Sequence, residues 1–143
     1  LRFKLLDPED QDNYYQLTLY SIDTFQTSPF TWEISKNPVG LETDNPLAEQ
    51  HSTEGIMFSD ELFNGNELSM TLNFNIYDHV QGKKYYLELR SLSKAKFLYD
   101  KTLELYDWNY GNPFAEPVQV YSNVENGYGI FAGYDFSRET VIF

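Results

Sequence analysis

Polar and apolar residues alternate with a period of two in several short stretches, and each such stretch predicts a strand with one face turned inward. The clearest is Tyr14–Ile22, with Tyr15, Leu17 and Leu19 on one face and Tyr14, Gln16, Thr18 and Tyr20 on the other. Leu68–Tyr77 repeats the pattern. Leu68, Met70, Leu72, Phe74 and Ile76 form its apolar set, and Ser69, Thr71, Asn73 and Asn75 leave the opposite face wet. Arg2–Leu6, Glu54–Phe58 and Lys84–Arg90 predict further strands. A turn over Asp78–Gly82 would return Lys84–Arg90 antiparallel against Leu68–Tyr77, with Tyr85, Leu87 and Leu89 toward the core.

The period lengthens once. Leu92, Ala95, Tyr99, Leu103 and Tyr106 recur at three and four residues, broadened by Leu98, Thr102 and Leu105, which predicts an amphipathic helix lying on a sheet face. Ser91 or Ser93 suits its N-cap, Asn109 or Gly111 its end, and Asn112-Pro113 forbids continuation. Between Asp23 and Thr53 no period survives. Pro29, Pro38 and Pro46 punctuate short apolar pieces there, so a long connection is expected, either a functional loop or one holding a short element.

Asn112–Tyr134 mixes prolines, glycines and large aromatics more densely than the rest of the chain. Ser122–Gly127 is turn chemistry, and Tyr128–Tyr134 reads as a strand. Gly129 and Gly133 then mark close approaches that let Tyr128, Ile130 and Phe131 meet the helix and sheet. The segment would close the fold, with a partner-facing role for Asn123 to Tyr128 as the alternative. Glu139–Phe143 supplies a last strand. The expectation is a mainly β fold over residues 1–143, an antiparallel β-sandwich or partly open barrel with one amphipathic helix packed on it.

Composition sharpens this picture. Twelve Tyr and eleven Phe favour strands and supply large buried areas. A net charge of −12 repels phosphate backbones, and Gly82-Lys83-Lys84 is too small a basic cluster to offset it, so nucleic acid is an unsuitable partner. The absence of cysteine excludes disulfides, thiolate metal sites and Cys nucleophiles within these residues. No apolar run approaches the roughly 20 residues of a membrane-spanning helix. The chain opens inside a strand, which reads as a trimmed piece or the later part of a longer protein.

Catalytic patterns are weak. His51 and His79 lack ligand spacing for zinc, and Asp7–Asp12 lacks the spacing of a calcium loop and reads as a solvated turn. Ser122 has no glycine-flanked elbow, Asn126-Gly-Tyr-Gly129 is no phosphate loop, and no carboxylate pair stands out for glycoside hydrolysis. No metal, cofactor or catalytic residue is therefore assigned. Recognition remains, with Trp32 and Trp108 as stacking platforms and Asn123, Asn126 and Tyr128 as contacts. Against this stands the plainer reading of Trp32 as a ring pinning a loop to the core.

Asn112-Pro-Phe-Ala-Glu-Pro117 and Ser122-Asn-Val-Glu-Asn-Gly-Tyr-Gly-Ile-Phe-Ala-Gly-Tyr134 resemble a family of lipoproteins of Gram-negative bacteria classed as a domain of unknown function. The Asn13-Tyr-Tyr15 strand, Phe58-Ser-Asp60, Phe63-Asn-Gly65 and Leu89-Arg-Ser-Leu-Ser93 fit it too. The resemblance implies neighbours among TonB-dependent outer-membrane transporters and a lipid-carrying cysteine upstream of these residues. It also implies an immunoglobulin-like half before this one. The implied function is a non-catalytic accessory at the outer membrane, whose partner is a transporter or another surface lipoprotein. The alternative is a carbohydrate-binding or glycan-processing protein using exposed aromatics.

Overall fold

The computed structural model describes residues 1–9, 11–52, 55–74 and 82–142, and side chains other than those of residues 49–52. His79, the Asp78–Gln81 part of the expected turn and the Asn75–Tyr77 end of the expected strand lie outside them, as does the side chain of His51. The elements run β1 (Arg2–Leu6), β2 (Tyr14–Ser28), β3 (Thr31–Val39), β4 (Leu41–Thr43), β5 (Glu49–Ser52), β6 (Gly55–Ser59), β7 (Glu67–Phe74), β8 (Lys84–Leu92), α1 (Lys94–Asn109) and β9 (Tyr134–Ile142). All described strand pairs are antiparallel. One sheet has the order β1-β7-β4 and the other β5-β6-β2-β8-β9, with β3 beside the second half of β2. Among the described residues the sheets do not close into a barrel, and the sandwich is the form adopted.

Alternation places the core between the sheets. Tyr15, Leu17, Leu19, Ile56, Phe58 and Tyr85 of the larger sheet meet Leu68, Met70 and Leu72 of the smaller, with Leu87 and Leu89 packed alongside. Each such side chain fully withdrawn from water contributes about 1.5–3 kcal/mol. Along β7 the burial alternates strictly, and Ser69, Thr71 and Asn73 are exposed as expected. The expected pairing of that strand with Lys84–Arg90 does not form. β7 pairs with β1 and β4, and β8 with β2 and β9. Their two apolar faces meet across the sandwich instead of standing side by side, which buries both more fully than a shared sheet would.

β2 is the spine of the larger sheet. Tyr14–Leu17 pair with β6 on one side, and Tyr14–Ser21 pair with β8 on the other. Gly55 lets β6 come this near: its φ is +130°, and a Cβ there would lie 1.9 Å from the Leu17 carbonyl oxygen. Beyond Ser21, β2 continues to Ser28 and turns into β3 as a hairpin that stands off the sandwich with most of both faces in solvent. Of the two readings of the connection expected over 23–53, the one holding a regular element fits, though with far more strand than one short piece: the end of β2, then β3, β4 and β5.

The helix forms where its period predicts, with Ser93 as N-cap accepting from the Lys96 N–H. Its seating differs from the expected wide stripe. Only Phe97 is buried, against Met57, Leu92 and Tyr14 on the outer face of the larger sheet, and the Tyr14 and Phe97 ring centroids lie 4.9 Å apart. Tyr99, Leu103 and their neighbours are half-buried, and Leu105 and Tyr106 are exposed. No helix among the described residues is long and apolar enough to cross a membrane.

Candidate functional site

After α1 the chain runs back along the helix without regular structure before entering β9. Its return is tied at both ends. The Thr102 hydroxyl accepts from the Tyr121 N–H at 2.8 Å, and the Ser93 N–H donates to the Gly133 carbonyl at 3.1 Å. Between these ties, two side chains staple a loop. Ser122 Oγ donates to the Gly129 carbonyl at 2.9 Å. Asn123 Nδ2 donates to the Phe131 carbonyl at 2.9 Å, and its Oδ1 accepts from the Phe131 N–H at 2.8 Å. The Asn123 N–H adds a bond to the Gly129 carbonyl at 3.2 Å. Asn126, at φ +57°, makes the bend, a conformation its short polar side chain tolerates.

The staples hold large rings in water. Tyr128 is 99% exposed and Phe131 91%. This corrects the closure reading, because neither ring meets the helix or the sheet and only Ile130 is half-buried. Nor is Gly129 a close approach. A Cβ there would meet nothing within 4 Å, and its φ of +133° is what requires glycine. The expected strand over Tyr128–Tyr134 is absent, and β9 begins only at Tyr134. The partner-facing alternative fits this geometry.

Asn123, Asn126 and Tyr128 thus share one loop, the first two shaping it and the third displayed by it. Phe114, on the irregular stretch just after the helix, is also exposed. Trp108, in the last turn of α1, is 85% exposed, and Trp32, near the tip of the β2–β3 hairpin, is 63% exposed. Trp32 does not pin a loop to the core. The two tryptophans sit on separate elements. Tyr106 and Tyr110, with centroids 6.3 Å apart, are tilted by 46° where a sugar-stacking groove would favour coplanar rings. Sequence reading passed over Phe131 and Phe114 as contacts. Their surroundings of Gly, Pro and Asn were the available signal, since such segments rarely supply a core.

A second polar arrangement lies in the core. Asp7 is only 4% exposed and Asp60 only 2%. Asp7 accepts from the Tyr15 hydroxyl at 2.5 Å, Asn13 Nδ2 at 3.4 Å and the Gly65 N–H at 3.1 Å. Asp60 and Asn13 exchange bonds: the Asn13 N–H donates to Asp60 Oδ2 at 2.7 Å, and the Asp60 N–H to the Asn13 carbonyl at 3.1 Å. Burial, the hydrogen bond to Asp7 and the charges of Asp7 and Asp60 push the Tyr15 phenol well up. The solvated turn expected from Asp7 onward is therefore, at Asp7, a buried clamp. Asp10 lies outside the described residues. Among those described, no three His, Asp or Glu side chains converge as metal ligands would.

Residues 1–140 match the family described as a domain of unknown function, DUF4249. No curated protein and no solved structure matches the chain.

Proposed function

We propose that this chain, which belongs to the DUF4249 family, is a non-catalytic recognition domain acting as an accessory of a TonB-dependent uptake system at the outer membrane. It would belong to a lipid-anchored protein of the cell envelope and bind a transporter or another surface lipoprotein. One observation carries the reading: a loop stapled by Ser122 and Asn123 displays Tyr128 and Phe131 to solvent. Large rings held in water by dedicated hydrogen bonds contribute nothing to the core. Tyr and Phe so placed are suited to anchor an interface, since they supply contact area and lose little freedom on binding. The staples restrict the loop beforehand, which lowers the entropy lost when a partner docks.

Pull-down of the full-length protein from detergent-solubilised envelopes tests this. The wild type should recover a transporter or a surface lipoprotein, and the pair Tyr128→Ala and Phe131→Ala should lose it. Recovery of neither, or recovery indifferent to both substitutions, overturns the proposal. Glycan-array binding that disappears with Trp32→Ala or Trp108→Ala would establish the sugar-binding alternative instead.

A further inference from the structure

The outer face of the larger sheet, next to α1, carries a polar cluster that the aromatic loop does not use. Register puts its members on one face: Gln16 opposite Arg90, Thr18 opposite Glu88, Tyr20 opposite Tyr86, and Arg138 of β9 opposite Glu88 from the other side. Pro38 of β3 stands opposite Tyr20, and Lys36 two positions further out. Glu88 is 3% exposed and fully engaged, accepting from the Tyr20 hydroxyl and from Arg90 Nε, each at 2.8 Å. Burial alone would push its carboxyl up. The hydrogen bonds from Arg90 and Tyr20, with the charges of Arg90 and Lys36, outweigh that and hold it below the ordinary 4.5.

Around this single carboxylate stand three cations. Arg90 Nη1 also donates to Gln16 Oε1 at 3.0 Å, Arg138 Nη1 donates to the Tyr20 hydroxyl at 3.2 Å, and the Lys36 ammonium lies 4.6 Å from the Tyr20 ring centroid. The patch is therefore cationic in a chain whose net charge is −12. Against it opens a cavity of about 220 Å³, lined by Thr18, Leu19, Tyr20, Lys36, Pro38 and Arg90. Thr18 is 6% exposed, and its Oγ1 has no hydrogen-bond partner among the described residues.

We propose that this cavity binds the carboxylate of a small organic anion whose body is apolar, a ring or a short alkyl chain. The carboxylate meets the Lys36 ammonium and the guanidinium donors of Arg90 that Glu88 and Gln16 leave free, since arginine has five N–H groups. The apolar body rests on Pro38 and the Tyr20 ring. Lys36 lies over that ring, and a shift of its flexible side chain toward the anion uncovers the ring for the apolar body, while Thr18 lines the same cavity. A cation would meet three like charges, with Glu88 already taken. The volume lies below the usual range for drug-sized ligands, about 300–1,000 Å³, which restricts the ligand to a compact one. The site lies apart from the aromatic loop, and the inference stands whichever partner that loop takes.

Nuclear magnetic resonance titration of the isotope-labelled chain tests it, with benzoate, neutral benzamide and inorganic phosphate compared at constant ionic strength. Benzoate should give saturable shifts at the amides of Thr18, Tyr20, Lys36 and Arg90, and benzamide should not. Lys36 is exposed, so Lys36→Met should fold and weaken benzoate about tenfold, the loss of one charge-assisted contact. Thr18→Val should weaken it less. Absence of saturation, equal response to benzamide, tighter binding of phosphate, or unchanged benzoate affinity in Lys36→Met each overturns the proposal.

Discussion

The Asp7–Asn13–Asp60 corner and the Ser122–Phe131 loop are built with the same device, a short polar side chain bonded to backbone across a bend. They differ in what replaces a lost bond. In the corner, Asp7 and Asp60 are withdrawn from water, so a broken bond leaves a buried donor or acceptor unsatisfied. In the loop, Asn123 and its surroundings are exposed, and water takes the vacated place. One device therefore sets stability in the first region and shape in the second. Asp7→Ala should produce the largest effect in the molecule's polar bonding. It strips an acceptor from the Tyr15 hydroxyl, Asn13 Nδ2 and the Gly65 N–H together. Urea unfolding should show a loss of about 3 kcal/mol. A loss no greater than that of a surface substitution would mean the corner is open to water, and the contrast would fail.

Tyr15→Phe removes one of those bonds and should cost about 2 kcal/mol. It also has a pH signature. Burial and Asp7 raise the folded-state pKa of Tyr15 above its ordinary 10.0, so its contribution is complete below that value and is lost as pH climbs past it. Wild-type stability should fall above pH 10 with a slope of up to about 1.4 kcal/mol per unit from this one group, and Tyr15→Phe should flatten that limb. Identical alkaline limbs in the two proteins would remove Tyr15 as the cause.

How far each region could be read beforehand follows the same division by solvent. Tyr14–Ile22 and Leu68–Phe74 were legible because one face of each packs on the core, and that imprints a period of two on the residues. The β2–β3 hairpin has water on most of both faces, so its apolar residues alternate only briefly, at Phe30, Trp32 and Ile34, and between Pro29 and Pro38 that short piece reads as loop. The pairing of β7 with β1 was hidden for another reason. Two consecutive apolar strands look alike whether they lie side by side or face each other, and only the packing distinguishes the cases. At Ser122–Phe131, glycines between aromatics suit close packing as well as display. The choice rests on whether Tyr128 and Phe131 find a surface, which is a property of the whole fold. Asp7 was read as a solvated acid because its donors meet it only in the fold: Asn13 and Tyr15 reach back from the start of β2, and the Gly65 N–H comes from a turn far along the chain.

The smaller effects belong to the loop. A β-branched residue at the φ of Gly129 meets strain of about 1–3 kcal/mol if the backbone stays fixed. The loop can open without the core, however, so Gly129→Val should lower global stability by no more than about 1 kcal/mol. Asn123→Ala should be milder still, about 0.5 kcal/mol, as for other surface substitutions. Its consequence appears locally. The Phe131 N–H loses its acceptor, and its hydrogen exchange should quicken about tenfold while core amides such as those of Leu17 and Leu72 keep their rates. Partner capture by the full-length protein should weaken along with that exchange protection, although both rings are intact, because the freed loop must be ordered again on binding. If Asn123→Ala instead destabilised the protein as much as Asp7→Ala, the staples would be part of the core's support, and the distinction between the two regions would collapse.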